Sequence, residues 1–138
     1  VDAFDADVLI YAAVRDHPVG DPVRRLFAPA ASGAGTATVG IGSVLLLPEV
    51  LAKPRRENAD DEVTALAGFL ARLDLLPVDM EIAELATALG ARHRLRVADA
   101  VHLATAVAAG ADRFITNNTR DFSKAITEID VVTPEDLA

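Results

Sequence analysis

Leu95-Arg96-Val97-Ala98-Asp99-Ala100-Val101-His102-Leu103-Ala104-Thr105-Ala106-Val107 sets a single carboxylate in an otherwise apolar helix. From Ala98 onward the side chains are small or aliphatic in almost every direction around the helix axis, which predicts a segment buried nearly all round. Its polar residues Asp99, His102 and Thr105 recur at every third position and form one slowly drifting stripe, expected to face water. A carboxylate inside a core is costly unless it is paired, hydrogen-bonded or bound to a metal. Two readings of Asp99 therefore stand side by side: the N-cap of its own helix, a position Asp favours, or a ligand at a site.

Outward from this helix, composition narrows the choices. A chain of 138 residues, 51% hydrophobic and 25% charged, is expected to form one domain over residues 1–138 with a substantial core. With no Cys there are no disulfides, zinc-thiolate sites or thiol nucleophiles, and a cytoplasmic location is the default expectation. The start Val1-Asp2-Ala3-Phe4-Asp5 lacks the basic region of a signal peptide. Leu26 to Pro48 carries no charge, but Pro29, Gly33, Gly35, Gly40 and Gly42 break it, so no membrane span is expected. The net charge of -8 argues against phosphate-backbone binding by the chain as a whole. Basic residues nevertheless cluster locally, as Arg24-Arg25, Lys53-Arg55-Arg56 and Arg92-His93-Arg94-Arg96.

Strand and helix signals alternate. A short strand at Phe4 ends in Asp5-Ala6-Asp7 and runs into the apolar helix Val8-Leu9-Ile10-Tyr11-Ala12-Ala13. Asp21-Pro22 reads as an N-cap with proline in the first turn of a helix through Phe27. Ala28 to Gly35 is expected to be loop and Thr36 to Ile41 a strand. Ser43 is the expected cap of a helix from Val44 to Ala52, which Pro54 stops; Pro48 implies that this helix bends or begins late. Glu49 is its only acid, readable as a dipole-favoured first-turn Glu or as a second site carboxylate. A helix over Glu57 to Leu73, an edge strand over Leu75-Leu76-Pro77-Val78 and a helix capped by Asp79 follow. After the Asp99 helix, ended by Gly110, come a strand Arg113 to Thr116, a polar loop Asn117 to Phe122 and a last strand Asp130-Val131-Val132. The pattern predicts an α/β sandwich with a mostly parallel central sheet and helices on both faces.

In such a sheet, ligand sites gather beyond the carboxyl ends of the strands. Asp5, Glu49, Asp99 and the loop after Thr116 are expected to meet there, and carboxylates so gathered repel one another unless a cation neutralises them. Oxygen ligands select Mg²⁺ or Mn²⁺, ions suited to phosphoryl and phosphodiester chemistry. Four stretches, in order, then carry a resemblance over nearly the whole chain: Asp5-Ala6-Asp7-Val8-Leu9-Ile10, Leu47-Pro48-Glu49-Val50-Leu51, Ala98-Asp99-Ala100-Val101-His102-Leu103-Ala104-Thr105-Ala106, and Phe114-Ile115-Thr116-Asn117-Asn118-Thr119-Arg120-Asp121-Phe122. The chain resembles PIN-domain ribonucleases, specifically the VapC-type toxins of bacterial toxin–antitoxin pairs. The resemblance implies a three-layer PIN-like α/β/α sandwich and a Mg²⁺- or Mn²⁺-dependent endoribonuclease. It also implies a homodimer, with a cognate VapB-type antitoxin covering the active-site groove. Carried over by motif, Asp5 and Asp99 would be the metal ligands, Glu49 a third acid holding metal or water, and Asn118 a member of the catalytic set.

Two departures from that pattern matter. Asp7 stands where the family often has Asn, adding a carboxylate; Asn118 stands where many members have Asp, removing one, and Asp121 is either its substitute or a loop cap. His102, one turn from Asp99, reads as an outer-shell or packing residue and not as a base, and Thr116 as a group that orients a carboxylate or water. Asp5-Ala6-Asp7-Val8 also matches the first motif of haloacid-dehalogenase-like phosphatases, with Asp5 as nucleophile. The chain is short for that fold, and Lys124 and Asp121 lie in the wrong order for it. A non-catalytic antitoxin-binding PIN domain is the other alternative.

Overall fold

The computed structural model describes residues 1–28 and 37–137. Along these residues run β1 (Asp2–Phe4), α1 (Ala6–Ala12), α2 (Gly20–Leu26), β2 (Gly40–Ser43), α3 (Leu46–Arg56), α4 (Asp60–Leu70), β3 (Leu73–Leu76), α5 (Met80–His93), α6 (Val97–Ala108), β4 (Arg113–Ile115), β5 (Asp130–Val132) and α7 (Pro134–Leu137). The strands pair in the order β3-β2-β1-β4-β5, and every pairing is parallel. Strand alternation decides which face each residue serves. Ala3 and its register partner Phe114 join Ile41 in a core shared with α5 and α6, whereas Phe4 and its partner Ile115 join Leu73 in a second core under α1 to α4. The result is the expected three-layer α/β/α sandwich.

Several helix limits differ from expectation, each for a local reason. Asp21 does not cap α2; His17 Nδ1 accepts the amides of Val19 (3.1 Å) and Gly20 (3.3 Å), so the helix starts before Asp21. Its first residue, Gly20, lies so close to α1 that a Cβ would meet the Tyr11 carbonyl oxygen at 2.0 Å. Ser43 remains in β2 and accepts the Leu45 amide (3.2 Å), so α3 begins late, at Leu46, and Pro48 falls in the first turn where no amide bond is owed. Pro54 does not stop α3: its buried ring lies inside the helix, which continues to Arg56. Asn58 then takes a left-handed φ of 54° and separates α3 from α4, which therefore starts at Asp60 and not at Glu57. Leu73 leaves the helix because it pairs with Gly40 as the first residue of β3, an edge strand displaced two residues from the one expected. Asp79 caps α5 as expected, accepting the Ile82 amide at 2.9 Å. The expected strand at Thr36 begins outside the described residues, as does most of the expected loop before it, and β2 runs to Ser43. Among the described residues no helix is long and apolar enough to cross a membrane.

The topology prepares a crevice. From β1 the chain steps outward to β2 and β3, then returns to β1's other side for β4 and β5. The chain leaving β1 enters α1 on one face, while the segment leaving β4 places Phe122, Ile126 and Ile129 on the other. Connections diverging from two adjacent parallel strands leave a gap at their carboxyl ends, the switch point at which such sheets hold ligands.

Candidate functional site

Asp5 and Thr116, the residues that follow β1 and β4, stand on either side of this gap. Asp5 is the N-cap of α1: one carboxylate oxygen accepts the Ala6 amide (2.8 Å) and the other accepts the Thr116 hydroxyl (2.7 Å). The Asp5 amide extends the sheet ladder to the Ile115 carbonyl (3.0 Å). Asp5 is 5% exposed and Thr116 0%, so this pair is the floor of the site. Burial pushes Asp5 above the ordinary carboxylate range, against the pull of the Thr116 hydroxyl and the His102 ring, and Glu49 adds to the rise.

Asp7, in the first turn of α1, accepts the Asn117 amide (3.1 Å) with one oxygen, while its other oxygen is buried without a hydrogen-bond partner among the described residues. Burial, with repulsion from Asp5 and Asp99, raises its pKa to about 7. Asp99 sits in the first turn of α6, whose N-cap is Arg96; the cap reading of Asp99 is therefore wrong. Burial raises its pKa too, reinforced by the charges of Asp5, Asp121 and Glu49 and opposed by His102. Asp5 and Asp7 at the start of α1 and Asp99 at the start of α6 thus act on one another.

Glu49, in the first turn of α3, reaches the same place from the side: its Oε1 lies 2.5 Å from Nε2 of His102. The expected wet stripe along α6 is corrected here. Only Asp99 is open to solvent; His102 is buried against Glu49, and Thr105 turns its hydroxyl back to the Val101 carbonyl (2.8 Å). Burial lowers the His102 pKa, but the Glu49 bond and the charges of Glu49, Asp5 and Asp99 outweigh it and the net shift is upward. Asn118 donates its amide N–H to the Thr116 hydroxyl oxygen (3.0 Å), while its side chain donates to Asp121 (2.9 Å) and accepts the Asp121 amide (3.2 Å). Asn118 thereby ties Asp121, whose charge Asp99 feels, to the floor of the site. Sequence reasoning singled out all of these residues but not the Glu49–His102 and Asn118–Asp121 pairings. The three-residue spacing of Asp99 and His102 on one helix face was the available signal for the former.

Among the described residues, none of Asp5, Asp7 and Asp99 is paired with Lys or Arg. An all-oxygen cluster with unbalanced negative charge and an unpartnered buried Asp7 oxygen suits a hard divalent cation. No group of three Asp, Glu or His side chains among the described residues is placed to hold an ion by itself. A Mg²⁺-like ion held by one or two carboxylates, with waters completing its shell, is compatible with that arrangement. The phosphatase alternative requires a Lys beside Asp5. Lys124 instead lines a separate cavity with Phe122, Ile129 and Asp136.

A family model described as PIN domain matches residues 3–126. No curated protein matches the chain. Among solved structures the chain is similar to one in a toxin-antitoxin complex from Klebsiella pneumoniae, at 24% identity and a TM-score of 0.71, covering 97% of this chain and 98% of that one. It is also similar to one in VapBC2 from Rickettsia felis bound to a DNA fragment from their promoter, at 17% identity and a TM-score of 0.71, covering 96% and 97%. A third is in DNA-bound VapBC from Salmonella typhimurium, at 21% identity and a TM-score of 0.72, covering 96% and 97%. At these identities the likeness is one of fold.

Proposed function

The chain belongs to the PIN-domain family, and from that membership we propose that it is a divalent-metal-dependent endoribonuclease acting as the toxin of a toxin–antitoxin pair. The observation that carries this reading is the meeting of Asp5, Asp7, Glu49 and Asp99 at the switch point, where burial, reinforced by neighbouring carboxylates, pushes Asp5, Asp7 and Asp99 above the ordinary carboxylate range. Asp5 and Asp99 would hold Mg²⁺ or Mn²⁺. Such an ion, when bound, makes water a better nucleophile and offsets charge on the phosphate.

The chain's own residues do the rest. Thr116 and the Ala6 amide fix Asp5, so its orientation needs no rearrangement when substrate arrives. Glu49 accepts the proton of the attacking water as the new oxygen–phosphorus bond forms and the bond to the leaving ribose oxygen breaks. Asn118 holds Asp121 toward Asp99. Exposed Lys53, Arg96 and Arg120 lie on or beside the segments that carry Glu49, Asp99 and Asn118, and supply cations for flanking phosphates. With one Tyr and no Trp for stacking, RNA is held by backbone and shape.

The solved neighbours are parts of toxin-antitoxin or VapBC complexes, which supports a VapB-type antitoxin as partner; the toxin itself we take to be a cytoplasmic homodimer. Purified protein incubated with RNA in Mg²⁺, Mn²⁺ or EDTA tests the reading, with cut ends mapped by sequencing. Cleavage confined to the metal conditions and absent in Asp5→Asn is expected. Metal-replete protein that cuts no RNA, or cuts equally as Asp5→Asn, refutes it.

A further inference from the structure

The carboxylates of the site differ in how they are held. Asp5 has both oxygens bonded and Asp7 one, each with help from the backbone. Glu49 has no backbone partner among the described residues; its long side chain is 34% exposed and would spread over several rotamers if left alone. The group that holds it is the His102 ring, whose side chain is 0% exposed. A carboxylate only accepts hydrogen bonds, so the ring nitrogen facing it carries the proton whichever charge state the ring adopts. The other nitrogen, Nδ1, is buried with no partner among the described residues. The ring therefore makes a single polar contact, to Glu49, and an aliphatic residue in its place would fill the core without stranding a nitrogen.

Resting on the nuclease reading of this acid cluster, we propose that His102 is a positioning residue, whose Nε2–H clamps Glu49 Oε1 and leaves Oε2 to receive the proton of the attacking water. Three substitutions separate this role from packing. His102→Gln keeps an N–H near the place of Nε2, His102→Asn moves it to the place of Nδ1, and His102→Leu removes it. The expected result is a kcat reduced about 10- to 100-fold in the Leu and Asn variants, the range for lost outer-shell partners, with KM unchanged and kcat largely restored in the Gln variant. In a Glu49→Ala background the Leu substitution should cost nothing further, because the clamp has lost its object. Nitrogen-15 spectra of the histidine rings give a readout that needs no substrate: Nε2 of His102 is protonated in the parent protein, and its resonance moves in Glu49→Ala.

If the parent cleaves RNA and His102→Leu matches its kcat, or loses as much activity with Glu49 absent as with it present, the inference is overturned. If the parent cleaves no RNA, the nuclease reading fails by itself. The ring spectra then still decide the clamp, with an unprotonated Nε2, or one indifferent to Glu49→Ala, overturning it.

Discussion

Replacing Asp7 by Asn should stabilise the metal-free protein, and only at high pH. The Asp7 pKa lies at about 7 in the fold against 3.8 in a free chain, so between those values the native state holds a proton that the unfolded state has lost. The contribution of this carboxyl to stability is accordingly complete below pH 3.8 and is lost as pH rises through 7. At about 1.4 kcal/mol per pH unit across that interval, the loss amounts to about 4 kcal/mol. Asn imitates the protonated acid, keeping an oxygen for the Asn117 amide and leaving one buried polar atom unpartnered, as the protonated acid does. Thermal melts of the two proteins in EDTA should coincide near pH 4 and diverge until about pH 8, with Asp7→Asn the more stable. At roughly 3 °C per kcal/mol for a domain of this size, the final gap is about 12 °C. Saturating Mg²⁺ should narrow it, since the ion neutralises the charge that Asn removes. A gap that is constant from pH 4 to pH 9, or that opens in the opposite direction, would refute the raised pKa of Asp7 and with it the burial and carboxylate repulsion held to cause it.

Asp99→Asn should leave the circular dichroism spectrum and the cooperative melt intact while lowering RNA cleavage beyond about a hundredfold, the upper range for residues that merely support a metal ligand; a folded and fully active variant would make Asp99 structural. Mg²⁺ or Mn²⁺ at about a hundred times its dissociation constant should stabilise the native protein by about 2.7 kcal/mol, and identical melts in EDTA and in metal would remove the ion from the mechanism. Arg72 bonds the Ala37 and Phe27 carbonyls, stapling the two ends of the connection between α2 and β2; Arg72→Ala should cost about 2 kcal/mol in urea unfolding, and Lys should not restore it, lacking a planar fork to bridge two carbonyls. An antitoxin segment whose Arg enters the acid cluster should inhibit more strongly than its Arg→Ala counterpart, with the difference shrinking as metal concentration rises; equal inhibition by both at every metal concentration would mean that coverage of the groove suffices.

The parts of the fold legible in the sequence were those set by local pattern: the order of strands and helices, Asp79 as a cap, and α6 as a buried helix. Limits set by distant partners were not. Leu73 leaves its helix to pair with Gly40, a partner that no window centred on Leu73 contains; at α2 the partner is local, but a histidine ring, His17, takes the cap in place of the Ser, Thr, Asp or Asn that local preference favours. The two prolines show the same division: Pro48 obeyed its local rule once α3 started late, whereas Pro54 is accommodated inside the helix with its ring against the core. In the site, acids in apolar surroundings identified Asp5, Glu49 and Asp99. The part played by Asp7 depends on a single backbone amide contributed by the loop after β4, and that of Asn118 on its reciprocal bonds with Asp121. Such contacts belong to the three-dimensional arrangement, and sequence spacing gives them only as possibilities.

The Thr116 hydroxyl that fixes Asp5 comes from 111 residues further along the chain. At synthesis rates of about 5–20 residues per second, a ribosome needs roughly 5 to 20 s to travel from one to the other. Through that interval Asp5 and Asp7 are hydrated acids on an unfinished sheet, because β1 lacks its β4 neighbour and α1 lacks the Asn117 amide. The crevice has no second wall until residues 113–116 have been made. For a protein whose proposed substrate is RNA, this ordering delays action behind production: until Thr116 has been made, the growing chain carries the acids without the site.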